Sequence, residues 1–189
     1  MRIKPIPRED LIGDLRHVHD EITKLIGRSQ SEVRMINNDG ALLGPFPVML
    51  QFPQFGIPAL SFMRALDEHA TLDKRVREVT ILTVAAFFSA RFELYAHQIM
   101  ARVVGLAPGI IAELAAGGHP AGLSKQENTA HIIARSLVTG HVLPESTYQY
   151  AIQVFGKEGV GELFFLVGGY SLLALVLNGF DMPAPDQTE

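Results

Sequence analysis

The sequence predicts an all-α protein with a single domain, and three observations support this fold class. Apolar residues recur at the helical spacings of three and four, strand-like alternation is almost absent, and glycines and prolines separate the apolar segments. The length of 189 residues fits one domain, since a single core usually accounts for roughly 100–200 residues. With 48% hydrophobic and 19% charged residues, the chain has enough apolar surface to bury such a core.

The first predicted helix covers residues 10–26, where five aliphatic residues form one apolar stripe and Gly27 marks the end. The segment 40–58 is rich in glycine and proline, so we expect only short helical turns there. Further helices are predicted over 59–69, 73–89, 92–104, 108–116, 125–138, 145–155 and 160–180. Glycines follow several of these helices, prolines stand near the starts of two, and Ser124 is a candidate N-cap.

Composition excludes several classes of function. The sixteen Lys and Arg residues against twenty Asp and Glu residues leave no basic excess for a phosphate backbone, so we expect no nucleic-acid partner. Because cysteine is absent, disulfides, zinc knuckles, iron–sulfur clusters and thiol-dependent peroxidase chemistry are excluded.

The sequence also lacks the usual membrane and export signals. The N-terminal residues include charges and prolines but no apolar core of a signal peptide. The longest apolar run, residues 163–177, is shorter than the roughly 20 residues that span a bilayer. We therefore expect a soluble cytoplasmic protein with no membrane partner.

The residues with the strongest chemical signal lie on two consecutive predicted helices. Glu93 and His97 are separated by one helical turn, so the carboxylate can orient the imidazole for general acid–base work. Glu78 lies mid-helix among apolar residues; if the chain turns back near Ser89, it is roughly 16 Å from the turn and His97 roughly 12 Å from it. Two alternatives stay open: the Glu93–His97 pair is a surface pair, and Glu78 forms an ion pair with Lys74, Arg75 or a partner subunit's arginine.

The same region contains four short motifs: R-x-R-E at 75–78, I-L-x-x-A from Ile81, F-E-L-x-x-H at 92–97 and G-L-x-x-x-I-x-x-L from Gly105. In this combination the region resembles the carboxymuconolactone decarboxylase family, whose superfamily includes the alkylhydroperoxidase D proteins. Supporting pieces are L-x-G-P-F at 42–46 and G-Y-x-x-x-A-x-x-L-N-x-F ending at Phe180. The similarity spans about 42–183, so we expect one domain over 1–189 with that core and a helical N-terminal extension over 1–40.

The resemblance implies an all-α, alkylhydroperoxidase D-like helical bundle that assembles as a homotrimer or homohexamer, with its site near a subunit interface. Peroxidase members use two cysteines in C-x-x-C, whose positions here hold Ala90 and Glu93. Their upstream glutamate matches Glu78 and their histidine matches His97. The sequence is therefore similar to the branch without cysteines, and the resemblance implies proton transfer rather than a disulfide cycle.

For this branch the resemblance implies a decarboxylase of aromatic catabolism that acts on a small carboxylated lactone of the 4-carboxymuconolactone type. His97 would donate a proton, Glu93 would orient it and Glu78 would relay the proton. No metal or organic cofactor is expected, because the unsaturated lactone is its own electron sink. Arg75 or Arg91 would anchor a carboxylate, with Arg102 a third choice, and Tyr170 would line the pocket or simply belong to the core.

Two other functions remain open at this point. One is isomerisation or ring chemistry in a biosynthetic pathway, performed by the same proton relay. The other is a non-catalytic, oligomeric helical protein that binds an apolar ligand or a partner, with Glu78, Glu93 and His97 as an interface ion network.

Overall fold

The computed structural model describes residues 1–28 and 32–185, and this part of the chain is helical. It contains a 3₁₀ turn at Arg8–Asp10 and no β-strand, only an isolated bridge between Ile36 and Leu42. The helices are α1 (Asp14–Arg28), α2 (Phe46–Gln51), α3 (Pro53–Glu68), α4 (Lys74–Phe88), α5 (Arg91–Val103), α6 (Pro108–Ala115), α7 (Lys125–Gly140) and α8 (Glu145–Gly179). The predicted all-α class is confirmed.

Helix α4 is the central element of the bundle and packs against α5, α7 and α8. Residues 76–85 are all buried, as expected of a helix that is covered on every side. The Asp73 side chain caps its first turn by accepting from the Arg75 amide. Ser89, in the left-handed region at φ 51°, ends the helix and turns the chain into α5. The hairpin that the sequence predicts is therefore present.

The segment 40–58 is more helical than predicted, because α3 begins at Pro53 rather than near residue 59. Pro53 occupies the first turn, where the missing amide hydrogen costs nothing, and Pro58 is accommodated inside the helix. Gly56 permits the close approach of α2 and α3, because a Cβ there would overlap the backbone of Met49. Proline content alone therefore underestimated this helix.

The two predicted C-terminal helices are present within α8 and are separated at Gly156, whose backbone is not helical. Gly156 has φ 69° and ψ 175°, a conformation that side-chain-bearing residues rarely adopt. By length and composition α8 could cross a membrane, and 44% of its most apolar window is buried inside the protein. A core helix of a soluble protein meets the same criterion, and α8 packs against α3, α4 and α7.

The N-terminal extension packs on the core through α1. Leu11 and Ile22 are buried against Leu42, which precedes α2, and Leu50, which lies in α2. His19 is buried and its Nε2 lies 3.0 Å from the carbonyl oxygen of Gly40, so α1 is tied to the segment that leads into α2.

Candidate functional site

A histidine held between two glutamates lies at the centre of the α4–α5 hairpin. His97 Nδ1 is 2.9 Å from Oε2 of Glu78, and His97 Nε2 is 3.5 Å from Oε2 of Glu93. The side chains of Glu78, Glu93 and His97 are only 7%, 5% and 7% exposed. The structure thus brings together all three of the residues that the sequence singled out as a proton relay, and it buries them.

The local fold explains this placement. Glu93 lies in the first turn of α5, where free amide groups and the helix dipole stabilise a carboxylate. His97 follows one turn later on the same face, and Glu78 reaches it from the antiparallel helix α4. The near-equal distances of Glu78 and His97 from the turn at Ser89 therefore place them side by side.

The two carboxylates keep His97 protonated. Burial alone lowers the pKa of an imidazole, but the charge and hydrogen bond of Glu78, together with those of Glu93, outweigh it and raise the pKa of His97 from 6.5 to about 10. At neutral pH the cluster is therefore an imidazolium between two acidic groups. Its Nδ1–H donates to Glu78 at normal hydrogen-bond distance, whereas the longer contact to Glu93 holds Nε2–H less firmly.

Tyr170 of α8 packs against the imidazole. The two rings are 5.0 Å apart between centroids and nearly perpendicular, at 86°. Burial, reinforced by the negative charges of Glu93, Asp67 and Glu78, raises the pKa of Tyr170 well above 10, so its phenol stays neutral. Around it lie the apolar side chains of Leu66, Ile81, Leu166, Phe62 and Met63. One side of the site is therefore an apolar wall built by α3 and α8.

The structure does not bring the two predicted carboxylate anchors to His97. Arg75 Nε donates to Glu127 of α7 at 2.7 Å, and its Nη1 donates to the Gly105 carbonyl oxygen at 3.2 Å. Arg91 donates to Asp181 at 2.5 Å on the surface. Both guanidinium groups thus have partners within this chain, away from the imidazole.

Arg77 is the arginine that the sequence reasoning missed. It is buried beside Glu78 in α4 and donates to the Leu66 carbonyl oxygen at 3.0 Å, to Glu162 at 2.9 Å and to Asp67 at 2.6 Å. The sequence signal for its burial was its position between the apolar residues Val76 and Val79. Because it links α3, α4 and α8, Arg77 fixes the helices that surround Tyr170 and His97.

Among the residues that the structure describes, no three or more His, Asp or Glu side chains form a group that could hold a metal ion. The Glu78–His97–Glu93 cluster consists of proton donors and acceptors.

Comparison with solved structures places the chain in a known fold, that of the alkylhydroperoxidase AhpD core. An uncharacterised peroxidase-related protein from Ralstonia eutropha, described as such a core, matches with a TM-score of 0.78 at 16% identity, over 98% of this chain and 93% of that one. A protein of unknown function from Agrobacterium tumefaciens, whose description names the antioxidant defence protein AhpD, matches with a TM-score of 0.66 at 13% identity, over 74% of this chain and 97% of that one.

No protein-family model matches the sequence, and no curated protein matches it. At 13–16% identity the two structural likenesses establish the fold alone. The alkylhydroperoxidase D-like architecture expected from the sequence is thus confirmed, while the assignment to the decarboxylase branch and the roles of the site residues remain predictions.

Proposed function

We propose that this protein is a cofactor-independent acid–base enzyme that acts on a small carboxylated lactone of the 4-carboxymuconolactone type, as a carboxy-lyase. The observation that carries the proposal is a buried imidazolium bound by carboxylates from two helices, beside a neutral tyrosine and an apolar wall. Perturbed ionisable groups of this kind are typical of sites that move protons.

The proton to be transferred is the one on His97 Nε2. Glu78 holds Nδ1–H at 2.9 Å and so fixes the ring, while the 3.5 Å contact to Glu93 makes Nε2–H the more weakly held of the two ring protons. As the substrate carboxylate leaves as CO₂, its electron pair passes into the unsaturated lactone. The ring carbon then takes the Nε2 proton, and His97 regains a proton from water, so charge and atoms balance.

The surroundings of His97 favour loss of the carboxylate. The apolar side chains around Tyr170 solvate a substrate carboxylate poorly, whereas neutral CO₂ loses little by lying next to them. Glu78 and Glu93 stay close to the imidazole and stabilise its protonated form between turnovers. We therefore assign the donor role to His97 and positioning roles to Glu78 and Glu93.

We propose that the active assembly is a homotrimer or homohexamer. Helix α8 presents an apolar stripe to solvent, with Phe165 63% exposed, Leu172 43% and Leu175 58%. Burial of such residues by a second copy favours association. An assembly also offers a source for the substrate's carboxylate anchor, because Arg75 and Arg91 are paired elsewhere.

A second candidate function is a non-catalytic oligomeric binding protein. The observations that favour it are the near-complete burial of Glu78, Glu93 and His97 and the exposed apolar stripe of α8. In that case the cluster is an internal ion network, and its loss lowers stability without affecting any turnover.

The test is release of CO₂ from a panel of carboxylated lactones, measured with the wild-type protein, His97→Gln and His69→Gln. His69 is exposed at the end of α3 and serves as the matched control. We expect one lactone to be decarboxylated, with turnover reduced 10²- to 10⁴-fold in His97→Gln and unchanged in His69→Gln. Ring isomerisation without CO₂ would replace the lyase by an isomerase, and no reaction with any lactone would favour the binding protein.

A further inference from the structure

His131 of α7 is a buried titratable residue that the proposed reaction does not use. It is 1% exposed, and its Nε2 is the one buried side-chain polar atom without a hydrogen-bond partner among the residues that the structure describes. An unpaired buried nitrogen costs free energy, so its retention calls for a physical reason.

The hydrogen bonds of His131 determine which nitrogen carries its proton. Thr83 donates its only hydroxyl hydrogen to the Val79 carbonyl oxygen at 2.7 Å. The 2.8 Å contact between Thr83 Oγ1 and His131 Nδ1 therefore has the imidazole as donor. This leaves a lone pair on Nε2.

A second imidazole lies against the first. The ring centroids of His119 and His131 are 4.6 Å apart, and His119 stands between His131 and a cavity of about 480 Å³ at the start of α7. His119 Nε2 is 2.5 Å from Oδ1 of Asn128, an acceptor, so Nε2 carries the proton and Nδ1 has the lone pair. Two imidazoles, each with one nitrogen held by a donor bond, thus leave one lone pair apiece.

Imidazoles in this state are ready metal ligands. A metal-bound histidine usually donates its other ring N–H to a fixed acceptor, which sets the tautomer and the ring orientation. Thr83 and Asn128 occupy that position for His131 and His119. A metal ion that both lone pairs face, with nitrogen–metal bonds of about 2.0–2.1 Å, would have an N–metal–N angle of about 90° at a centroid separation of 4.6 Å. That is the angle between neighbouring ligands in a tetragonal complex.

We propose that His119 and His131 form a binding site for a divalent late transition-metal ion, with the cavity beside His119 as its entry and with water completing the coordination. Nitrogen ligands in a tetragonal arrangement suit Cu²⁺ and Ni²⁺, and Cu²⁺ binds most tightly in this series. The site is separate from the Glu78–His97–Glu93 cluster and does not depend on the function proposed for it.

The charged groups near the pair are engaged elsewhere. Arg135 donates to the Gly117 carbonyl oxygen at 2.9 Å, and the Lys125 ammonium lies 5.4 Å from the centre of the Tyr150 ring. Both are cations, so they weaken metal binding without occupying the lone pairs. We therefore expect the metal affinity of a site with two histidine ligands, which is weaker than that of a structural site whose ligands all come from the protein.

The experiment is titration of the tag-free protein with Cu²⁺, followed by calorimetry and by electron paramagnetic resonance. Wild type should bind one Cu²⁺ with two equatorial imidazole nitrogens, and His119→Gln and His131→Gln should each lower the affinity at least tenfold and leave one such nitrogen at most. His69→Gln, at an exposed histidine, is the matched control and should bind as wild type does.

His119 is exposed, so its variant should fold even if a substitution at buried His131 does not, and thermal unfolding checks both. Equal affinity of wild type and His119→Gln overturns the proposal. So does an equal loss in His69→Gln, since that would show adventitious binding to surface histidines.

Discussion

Replacing Glu78 with glutamine should both destabilise the protein and lower the pKa of His97. Glu78 makes the shorter of the two carboxylate contacts to the imidazole, at 2.9 Å, and is the main group that raises the pKa of His97 from 6.5 to about 10. Each pKa unit is worth about 1.4 kcal/mol, so the folded surroundings as a whole, burial included, favour the protonated ring by on the order of 5 kcal/mol. Removing one partner of a buried ion pair typically costs about 3–5 kcal/mol.

The sign of the pH dependence follows from the direction of the shift. Because the folded-state pKa of His97 is raised, its contribution to stability is fully present below pH 6.5 and is lost as the pH rises toward about 10. In Glu78→Gln burial acts against a weaker opposing charge, so we expect His97 to titrate near or below neutrality. The loss of stability should then be about 3–5 kcal/mol at pH 7.

The assay combines urea unfolding from pH 6 to 10 with NMR titration of the His97 ring. Glu93→Gln is the matched control, and its effect on both quantities should be smaller because the Glu93 contact is longer, at 3.5 Å. The reasoning is refuted if His97 of the wild type titrates near 6.5, or if Glu78→Gln leaves its pKa near 10.

Three further outcomes are expected. Gly44→Ala should lower the free energy of unfolding by about 1–3 kcal/mol, because the added Cβ would overlap the Phe92 ring. Gly117→Ala has a similar φ but no neighbouring atom, so it should cost less in the same urea titration. Arg77→Ala should destabilise the protein by about 3–5 kcal/mol, because it leaves the Glu162 carboxylate without its buried cation. Arg91→Ala breaks only an exposed pair and should cost far less, so comparable losses in urea unfolding would contradict this contrast. Burial lowers the pKa of His131 to about 4, so the unfolded chain binds this proton at a higher pH than the folded protein does. Stability should therefore fall as the pH drops from 6.5 to 4. This part of the pH dependence should be missing in His131→Gln, and its persistence there would refute the attribution to His131.

Helical periodicity predicted the all-α class, and with a turn near Ser89 it also predicted that Glu78 and His97 lie near each other. The turn at Ser89 and the distances of Glu78 and His97 from it are sequence quantities, so their convergence could be calculated before any side chain was placed. The i, i+4 spacing of Glu93 and His97 likewise follows from helix geometry alone.

Other features depend on packing and could not be read from spacing. Long arginine side chains reach partners on other helices, and so Arg75 and Arg91 pair with Glu127 and Asp181 rather than facing His97. Arg77 is buried because α3 and α8 supply carboxylates around it, which requires the tertiary fold. The length of α3 was underestimated because Pro58 is tolerated inside a helix that packs on the core.

The central claim, that His97 delivers a proton to the substrate, is tested most directly by decarboxylation in D₂O. The lactone that the wild type turns over fastest is converted by wild type and by His97→Gln, and ring deuteration and CO₂ are measured together. We predict one deuterium on the ring carbon for each CO₂ released, and a 10²- to 10⁴-fold slower reaction in the variant. Turnover by His97→Gln within about tenfold of wild type would contradict the assignment.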